Sequence, residues 1–135
     1  LQNVTVLHAA VVARPMESVT FYESAKGKTL SGGILPKRGR IPVEVPAFTC
    51  NELFETHGTT HVKISIEGAE GPIVLATDWT QIQFVEIEYN FWASGDTDHW
   101  QYERMLDYLA TFFDRVEGSR TRSNVWHRRV FCYKE

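Results

Sequence analysis

The chain has 135 residues, which fits one domain and is short for two, so we expect a single domain over residues 1–135. Its formal net charge of −3 argues against nucleic acid as a partner, because general nucleic-acid binders carry a basic excess. An aromatic fraction of 13% argues against disorder, and no apolar run is long enough to span a bilayer, so we expect no membrane partner.

The first half of the chain is predicted to be rich in strands. Residues 4–13 (VTVLHAAVVA) are apolar and β-branched, which predicts a buried strand, and residues 19–24 predict a second one. Three glycines between 25 and 33 predict a loop. Residues 41–45 lie between prolines, which indicates an edge or irregular segment, and residues 49–56 fit one or two helical turns.

Alternation of apolar and polar residues predicts the next strands. In residues 61–67 (HVKISIE), Val62, Ile64 and Ile66 share one face. Residues 68–71 read as a hairpin connection and residues 73–76 as its partner strand. Residues 81–92 give the strongest strand prediction, with Val85, Ile87, Tyr89 and Phe91 facing the core.

Residues 96–117 predict the clearest helix. Its apolar positions recur at helical spacing, acidic and hydroxyl side chains precede it, and Gly118 follows as a helix end. A strand over part of this segment is the alternative. Residues 124–133 predict a final strand. The expected fold class is α+β, with a curved, mainly antiparallel β-sheet, one long amphipathic helix near the C-terminus and a closing strand.

Glu86 and Glu88 are candidates for catalysis. They lie on the same face of a predicted strand, roughly 6.5 to 7 Å apart. Two carboxylates at that separation in a cleft could share acid–base work, and Phe84 and Trp92 on the same face would make such a pocket. The alternative, which we favour, is a solvated strand face on which both glutamates oppose cations.

His57 and His61 are candidates for a metal site or for catalysis. Their spacing would place both rings on one face of a helix, but Gly58-Thr59-Thr60 between them disfavours a helix. Glu55 or His8 could supply a third ligand. Ordinary polar loop histidines are the favoured interpretation, so we expect neither metal nor cofactor.

The C-terminal segment is basic and aromatic, with Trp126, Arg128 and Arg129 as candidate binding residues beside Trp92 and Phe84. Tryptophan and arginine are the residues that most often anchor interfaces. The alternative is a surface strand whose arginines pair with acidic side chains elsewhere.

Cys50 and Cys132 form no metal-binding spacing, and two buried free thiols are the favoured interpretation. That favours a cytoplasmic protein. A disulfide between them, together with the glycosylation sequence at Asn3, would fit a secreted one.

Two fragments resemble known families. Residues 74–79 (VLATDW) resemble the lipocalin strand that carries Thr-Asp-Tyr, and residues 126–130 (WHRRV) resemble the last strand of nuclear transport factor 2-like proteins. Both resemblances imply a curved antiparallel sheet around a pocket. No functional residue is carried over from either family.

Three functions follow as hypotheses. The first is a non-enzymatic binding module for a protein or an apolar small molecule. The second is a small acid–base enzyme that uses Glu86 or Glu88 with a histidine in a sheet-lined cavity. The third is a structural or assembly subunit, and a homo-oligomer is compatible with all three.

Overall fold

The computed structural model describes residues 3–24, 33, 39–66, 68–96, 99–118 and 127–135. Within them the fold is α+β, as predicted, with one three-stranded and one four-stranded sheet. The finer prediction of a mainly antiparallel sheet with one long helix is confirmed only in part. Each sheet contains a parallel strand pair, and the helical residues are divided among short elements.

The first sheet contains β1 (Ala10–Val11), β2 (Ser18–Ser24) and β3 (Arg40–Phe48), in the order β1-β3-β2. Strand β1 runs parallel to β3, and β2 runs antiparallel to it. The strand predicted over residues 4–13 is therefore wrong for most of its length, because residues 4–9 have no regular structure and are mostly exposed. Apart from Gly33, the predicted loop at 25–33 lies outside the described residues.

Strand β3 is nine residues long, whereas the prolines predicted a short edge segment. The strand can contain these prolines because their nitrogens point away from β2. The backbone N–H of Tyr22 donates to Gly33 O, away from β3, so Tyr22 and its partner Pro42 form a non-hydrogen-bonded pair. Pro46 is four residues after Pro42, so it also lies at a non-hydrogen-bonded position of the β2–β3 pair. Both rings therefore occupy positions that donate no bond to β2, and the ladder tolerates them.

Helix α1 (Cys50–His57) confirms the predicted helical turns. Thr49 precedes it and forms a capping box with Glu52, since each side chain bonds the backbone N–H of the other residue. Gly58 ends the helix in the left-handed region, with φ of 59°.

The second sheet contains β4 (His61–Ile64), β5 (Phe84–Asn90), β6 (Arg115–Glu117) and β7 (His127–Tyr133), in the order β4-β5-β7-β6. Strands β4 and β5 are parallel, and β7 is antiparallel to both of its neighbours. It follows that β4, β5 and β6 all point the same way.

The hairpin predicted after β4 is wrong, because residues 70–75 form helix α2 (Glu70–Leu75) instead of a strand. Parallel strands need a crossover connection, and α2 supplies it. Pro72 in the first helical turn is tolerated there, since that turn leaves its N–H groups without intrahelical partners. Residues 74–79 are thus the end of α2 and a loop, so the lipocalin-like strand is absent.

The long helix predicted over residues 96–117 is shorter in the structure. A single turn, α3 (Phe91–Ser94), follows β5, and α4 spans Trp100–Leu109. The chain then turns, and residues 115–117 pair with β7 as β6. The predicted end at Gly118 is wrong for the same reason.

One face of the second sheet carries the core. Helix α2 packs against β5 and α4, and the strand residues beneath them are fully buried. The predicted inward positions of β5 are confirmed, because Val85, Ile87 and Tyr89 have no exposed surface. The other face of β5 is half-buried. No helix within the described residues is long and apolar enough to cross a membrane.

The packing of α4 and of the turn after it gives a first prediction. Leu109→Ala and Phe113→Ala should each lower the free energy of unfolding by roughly 2 to 5 kcal/mol, because both side chains are buried. Thr111→Ala should change it far less, because Thr111 is exposed in the turn after α4. Chemical denaturation measures all three, and equal effects would contradict this packing.

Candidate functional site

Buried polar side chains collect where β4 and β5 end. The carboxyl ends of these parallel strands lie at one edge of the sheet, and antiparallel β7 begins there. Five polar residues are buried among the described residues, and three of them, Glu70, Asn90 and Arg128, belong to this edge. We refer to these three and the loops around them as the carboxyl edge.

Glu70 ties the end of β4 to the end of β5. Its carboxylate accepts hydrogen bonds from the backbone N–H of Ile66 at 3.3 Å and of Gly68 at 2.9 Å, and the backbone of Asn90 also bonds to it. Burial raises the pKa of Glu70, and these backbone donors offset that rise only in part. The carboxyl group therefore holds the loop after β4 against β5.

The loop needs glycine at position 68. Gly68 has φ of 112°, and a Cβ there would lie 2.7 Å from the carbonyl carbon and oxygen of Ala93. The side-chain oxygen of Asn90 accepts the Ala93 N–H at 2.9 Å, which fixes α3 at the same place. The loop after β4 and the turn after β5 are thus in direct contact.

Arg128 places a buried guanidinium at this edge. It is 7% exposed, and its guanidinium carbon lies 5.6 Å from the ring centre of Phe91 and 5.7 Å from that of Tyr102. Such contacts stabilise a cation at a desolvated site. A guanidinium has five N–H donors in a planar arrangement, which suits recognition of a polar group by more than one bond.

Asp96, four residues before α4, caps the N-terminus of this helix. Its carboxylate accepts the backbone N–H of Gln101 at 3.1 Å and of Tyr102 at 2.8 Å. The Tyr89 hydroxyl lies 3.1 Å from Asp96 Oδ2 and 2.8 Å from Gln101 Oε1. Burial, with a smaller contribution from the Asp96 charge, raises the pKa of Tyr89, so the phenol stays neutral. The start of α4 is therefore occupied by this carboxylate.

His99 is held in a strained conformation beside the edge. It is the residue before α4 and has φ of 61°, which non-glycine residues rarely adopt. Its ring centre lies 4.3 Å from that of Phe91. Strained residues of this kind cluster at ligand-binding sites, where surrounding packing maintains them.

The predicted catalytic glutamates lie on the opposite, half-buried face of the sheet. Glu86 Oε1 lies 3.6 Å from Lys63 Nζ and 4.0 Å from Arg129 Nε, and Glu88 pairs in register with Arg129. Within the described residues, no histidine is hydrogen-bonded to either glutamate. Glu86 thus has the cationic neighbours that the surface-strand alternative requires.

The two candidate metal-binding histidines are both exposed. His57 ends α1 and His61 begins β4, where its ring contacts Phe84 and its Nδ1 lies 2.9 Å from Thr60 Oγ1. Within the part of the chain that is described, no group of three or more His, Cys, Asp or Glu side chains is arranged for a metal ion.

The candidate binding residues whose side chains are described do not lie on one surface. Arg128 and Arg129 are neighbours in β7, so their side chains point to opposite faces of the sheet. Arg128 is buried on the helix side, whereas Arg129 lies with Phe84 on the half-buried face. Trp126 lies outside the described residues, and the side chain of Trp92 is likewise not described.

An apolar cavity of about 150 Å³ lies beside β4 and extends to Ile66 in the loop after this strand. Its walls come from β1, α1, β4 and α2 and include Val11, Cys50, Leu53, Val62 and Ile73.

Cys50 and Cys132 are both buried and free, and burial raises the pKa of the Cys132 thiol to about 12. Both thiols therefore stay protonated near neutral pH.

Comparison with protein families, with curated proteins and with solved structures gives no match for this chain.

The sequence contains a signal for this edge, which the prediction of a hairpin at residues 68–71 overlooked. Gly68 directly follows the β4 strand pattern, Glu70 comes two residues later, and Pro72 indicates a helix start. A strand followed by a helix and a second strand of the same kind predicts a parallel pair. Polar groups gather at the carboxyl end of such a pair.

Proposed function

We propose that this chain is a binding module for a small polar molecule, which it binds at the carboxyl edge of β4 and β5. The observation that carries the proposal is the clustering of Glu70, Asn90 and Arg128, all buried, where two parallel strands end. Ligands of open sheets with helical crossovers bind outside the carboxyl ends of the strands.

The surroundings of this cluster support a ring-bearing ligand. Phe91, Tyr102 and His99 form a set of ring contacts, with the Phe91 and Tyr102 centres 5.0 Å apart. Phe91 and Tyr102 are buried, whereas His99 is partly exposed, so His99 is the ring of this set that a ligand could contact. Small-molecule sites combine aromatic side chains with a few fixed polar groups. Arg128 and the strained His99 are the side chains we assign to ligand contact.

Binding is favoured over acid–base catalysis by the state of Glu70. Its pKa is raised, as a general acid requires, but its side chain has no exposed surface and its oxygens accept backbone N–H groups. We therefore assign Glu70 to holding the loop. The acid–base enzyme with Glu86 or Glu88 and a histidine is the less favoured alternative.

The test is a nuclear magnetic resonance titration with two probes, adenosine as a neutral polar ring and inorganic phosphate as a bare anion. We expect adenosine to shift the backbone amides of Gly68, Asn90 and Ala93. Arg128→Met should weaken this binding at least about tenfold, the loss of roughly one hydrogen bond to a charged group.

Arg129→Met is the matched control, because it removes the same charge from the neighbouring residue on the other face. It should leave the titration unchanged. If Arg128→Met fails to fold, Ser65→Phe, at an exposed position just after β4, should block the same edge. Amide shifts confined to Phe84, Phe131 and Tyr133 would contradict the proposal.

A further inference from the structure

We propose that the apolar cavity beside β4 is a second binding site, which takes a neutral molecule of one ring or a short carbon chain that carries one hydroxyl or amide group. The site goes beyond the function proposed above, because its lining includes none of Glu70, Asn90 and Arg128. The size of the cavity, its apolar walls, its electrical neutrality and one peptide group in its wall define this ligand.

The size of the cavity sets the size of the ligand. Its volume is about 150 Å³, and almost all of its wall consists of aliphatic and aromatic side chains. A dry apolar cavity of this size binds one molecule such as benzene, or xenon. Water is a poor occupant of such walls, because a buried water molecule makes about three hydrogen bonds. The occupant is therefore a small and mainly apolar molecule.

The rim of the cavity gives a ligand access. The rim consists of partly exposed side chains, whereas the floor consists of buried ones. The rim residues are Val11, Leu53, Val62 and Ile66, and the floor includes Phe54, Ile64 and Ile73. These residues come from both sheets and from two helices, so only the folded chain forms the site.

No charged side chain among the described lining residues is directed into the cavity. Cys50 is the titratable group in the wall, and burial raises the pKa of its thiol, which stays neutral near neutral pH. Lys63 also contributes to the lining, but its Nζ lies 3.6 Å from Glu86 Oε1, on the half-buried face of the sheet. A charged ligand would lose its hydration without gaining an ion pair, so the ligand is neutral.

Lys63 contributes its backbone to the cavity wall. The backbone N–H of Phe84 donates to Thr60 O, so residues 60, 62 and 64 form the bonds of β4 to β5, and the N–H and C=O of Lys63 point to the opposite edge. Among the described strands, β4 pairs with β5 alone, so these two groups have no strand partner. They present one donor and one acceptor, which a hydroxyl or an amide group of a ligand satisfies.

A nuclear magnetic resonance titration with phenol and benzene tests the site. We expect phenol, with one ring and one hydroxyl, to shift the methyl signals of Val11, Leu53, Val62 and Ile73 and the backbone amide of Lys63, with a dissociation constant of about 1 mM or lower. Benzene should bind no more tightly than phenol, because it leaves the Lys63 peptide groups without a ligand. In a cavity with wholly apolar walls benzene would bind more tightly, since an unpaired hydroxyl is costly to bury.

Leu53→Phe adds a ring at the cavity wall and should weaken phenol binding at least about tenfold. Leu75→Phe is the matched control, because Leu75 is also partly exposed but lies outside the cavity lining, and it should leave the titration unchanged. The wild-type chain gives a second measurement if Leu53→Phe fails to fold. Phenol should slow the reaction of the Cys50 thiol with methyl methanethiosulfonate in proportion to occupancy and leave that of Cys132, outside the cavity, unchanged.

The proposal is overturned if phenol shifts none of these signals, or if benzene binds more tightly than phenol. It is also overturned if Leu53→Phe folds and leaves the phenol titration unchanged, or if phenol at saturation does not protect Cys50. Phenol shifts confined to the amides of Gly68, Asn90 and Ala93 would assign phenol to the carboxyl edge. That result would overturn the cavity site while leaving the function proposed above intact.

Discussion

Glu70→Ala is expected to lower the free energy of unfolding by roughly 3 to 5 kcal/mol. The carboxylate is the acceptor for the backbone N–H groups of Ile66 and Gly68, and without it buried donors at the carboxyl edge lose their partner. Urea denaturation measures the change. Glu55→Ala, an exposed glutamate in α1, is the control and should stay within about half a kcal/mol.

Glu70 also predicts a pH dependence of stability. Its folded pKa is raised above the unfolded value of about 4.3, so the folded state binds its proton more tightly than the unfolded state does. The stability from this group is complete below the unfolded pKa and is lost as the pH rises through the folded pKa.

The difference in unfolding free energy between wild type and Glu70→Gln isolates this contribution from those of other carboxyl groups. Glu52 and Asp78, whose pKa values hydrogen bonds lower, act in the opposite direction in both proteins. The wild type should lose stability relative to Glu70→Gln as the pH rises from about 4 toward neutrality. A difference that is constant or that grows with pH would show that Glu70 is not the group assigned here.

Gly68→Ala is expected to be the most destabilising glycine substitution in the described chain, at about 4 kcal/mol or more. Two effects add. Its φ of 112° strains any residue with a Cβ, and the new carbon would meet the backbone carbonyl of Ala93 at 2.7 Å. A backbone group cannot rotate away, so the loop after β4 or the turn at α3 must move.

Gly95→Ala separates the two effects. Gly95 has φ of 71°, but nothing lies within 4 Å of a Cβ at that position. It should therefore show the conformational strain alone, about 1 to 2 kcal/mol. Thermal and chemical denaturation compare the two variants. Equal losses would mean that the loop accommodates the methyl group, and that the contact between Gly68 and Ala93 does not hold the carboxyl edge together.

Periodicity within the sequence predicted the elements whose two faces differ. The alternation in residues 84–89 placed Val85, Ile87 and Tyr89 in the core, and the helical spacing in α4 placed Met105 and Leu109 there. Thr49 and Glu52 are near in sequence, so their capping box is a local feature of the kind that residue order encodes. In each case the residues that form the pattern are only a few positions apart in the sequence.

Elements with weaker local patterns were decided by their surroundings. Residues 70–75 are apolar enough for a strand or a helix, and the parallel pairing of β4 with β5 requires the helix. Residues 115–117 continue the spacing of α4, but α4 ends at Leu109 and these residues pair with β7 as an edge strand. The sequence of a short apolar run does not decide between helix and strand, because both structures bury similar areas.

The sequence by itself determined the α+β class, the presence of β2, β4, β5 and β7, and the buried face of α4. The tertiary structure alone decided strand direction, the length of β1 and the meeting of Glu70, Asn90 and Arg128. Those residues lie 20 or more positions apart, and nothing in their local pattern indicates that they are neighbours. They come together because parallel strands end at one edge, and strand direction is set by long-range pairing.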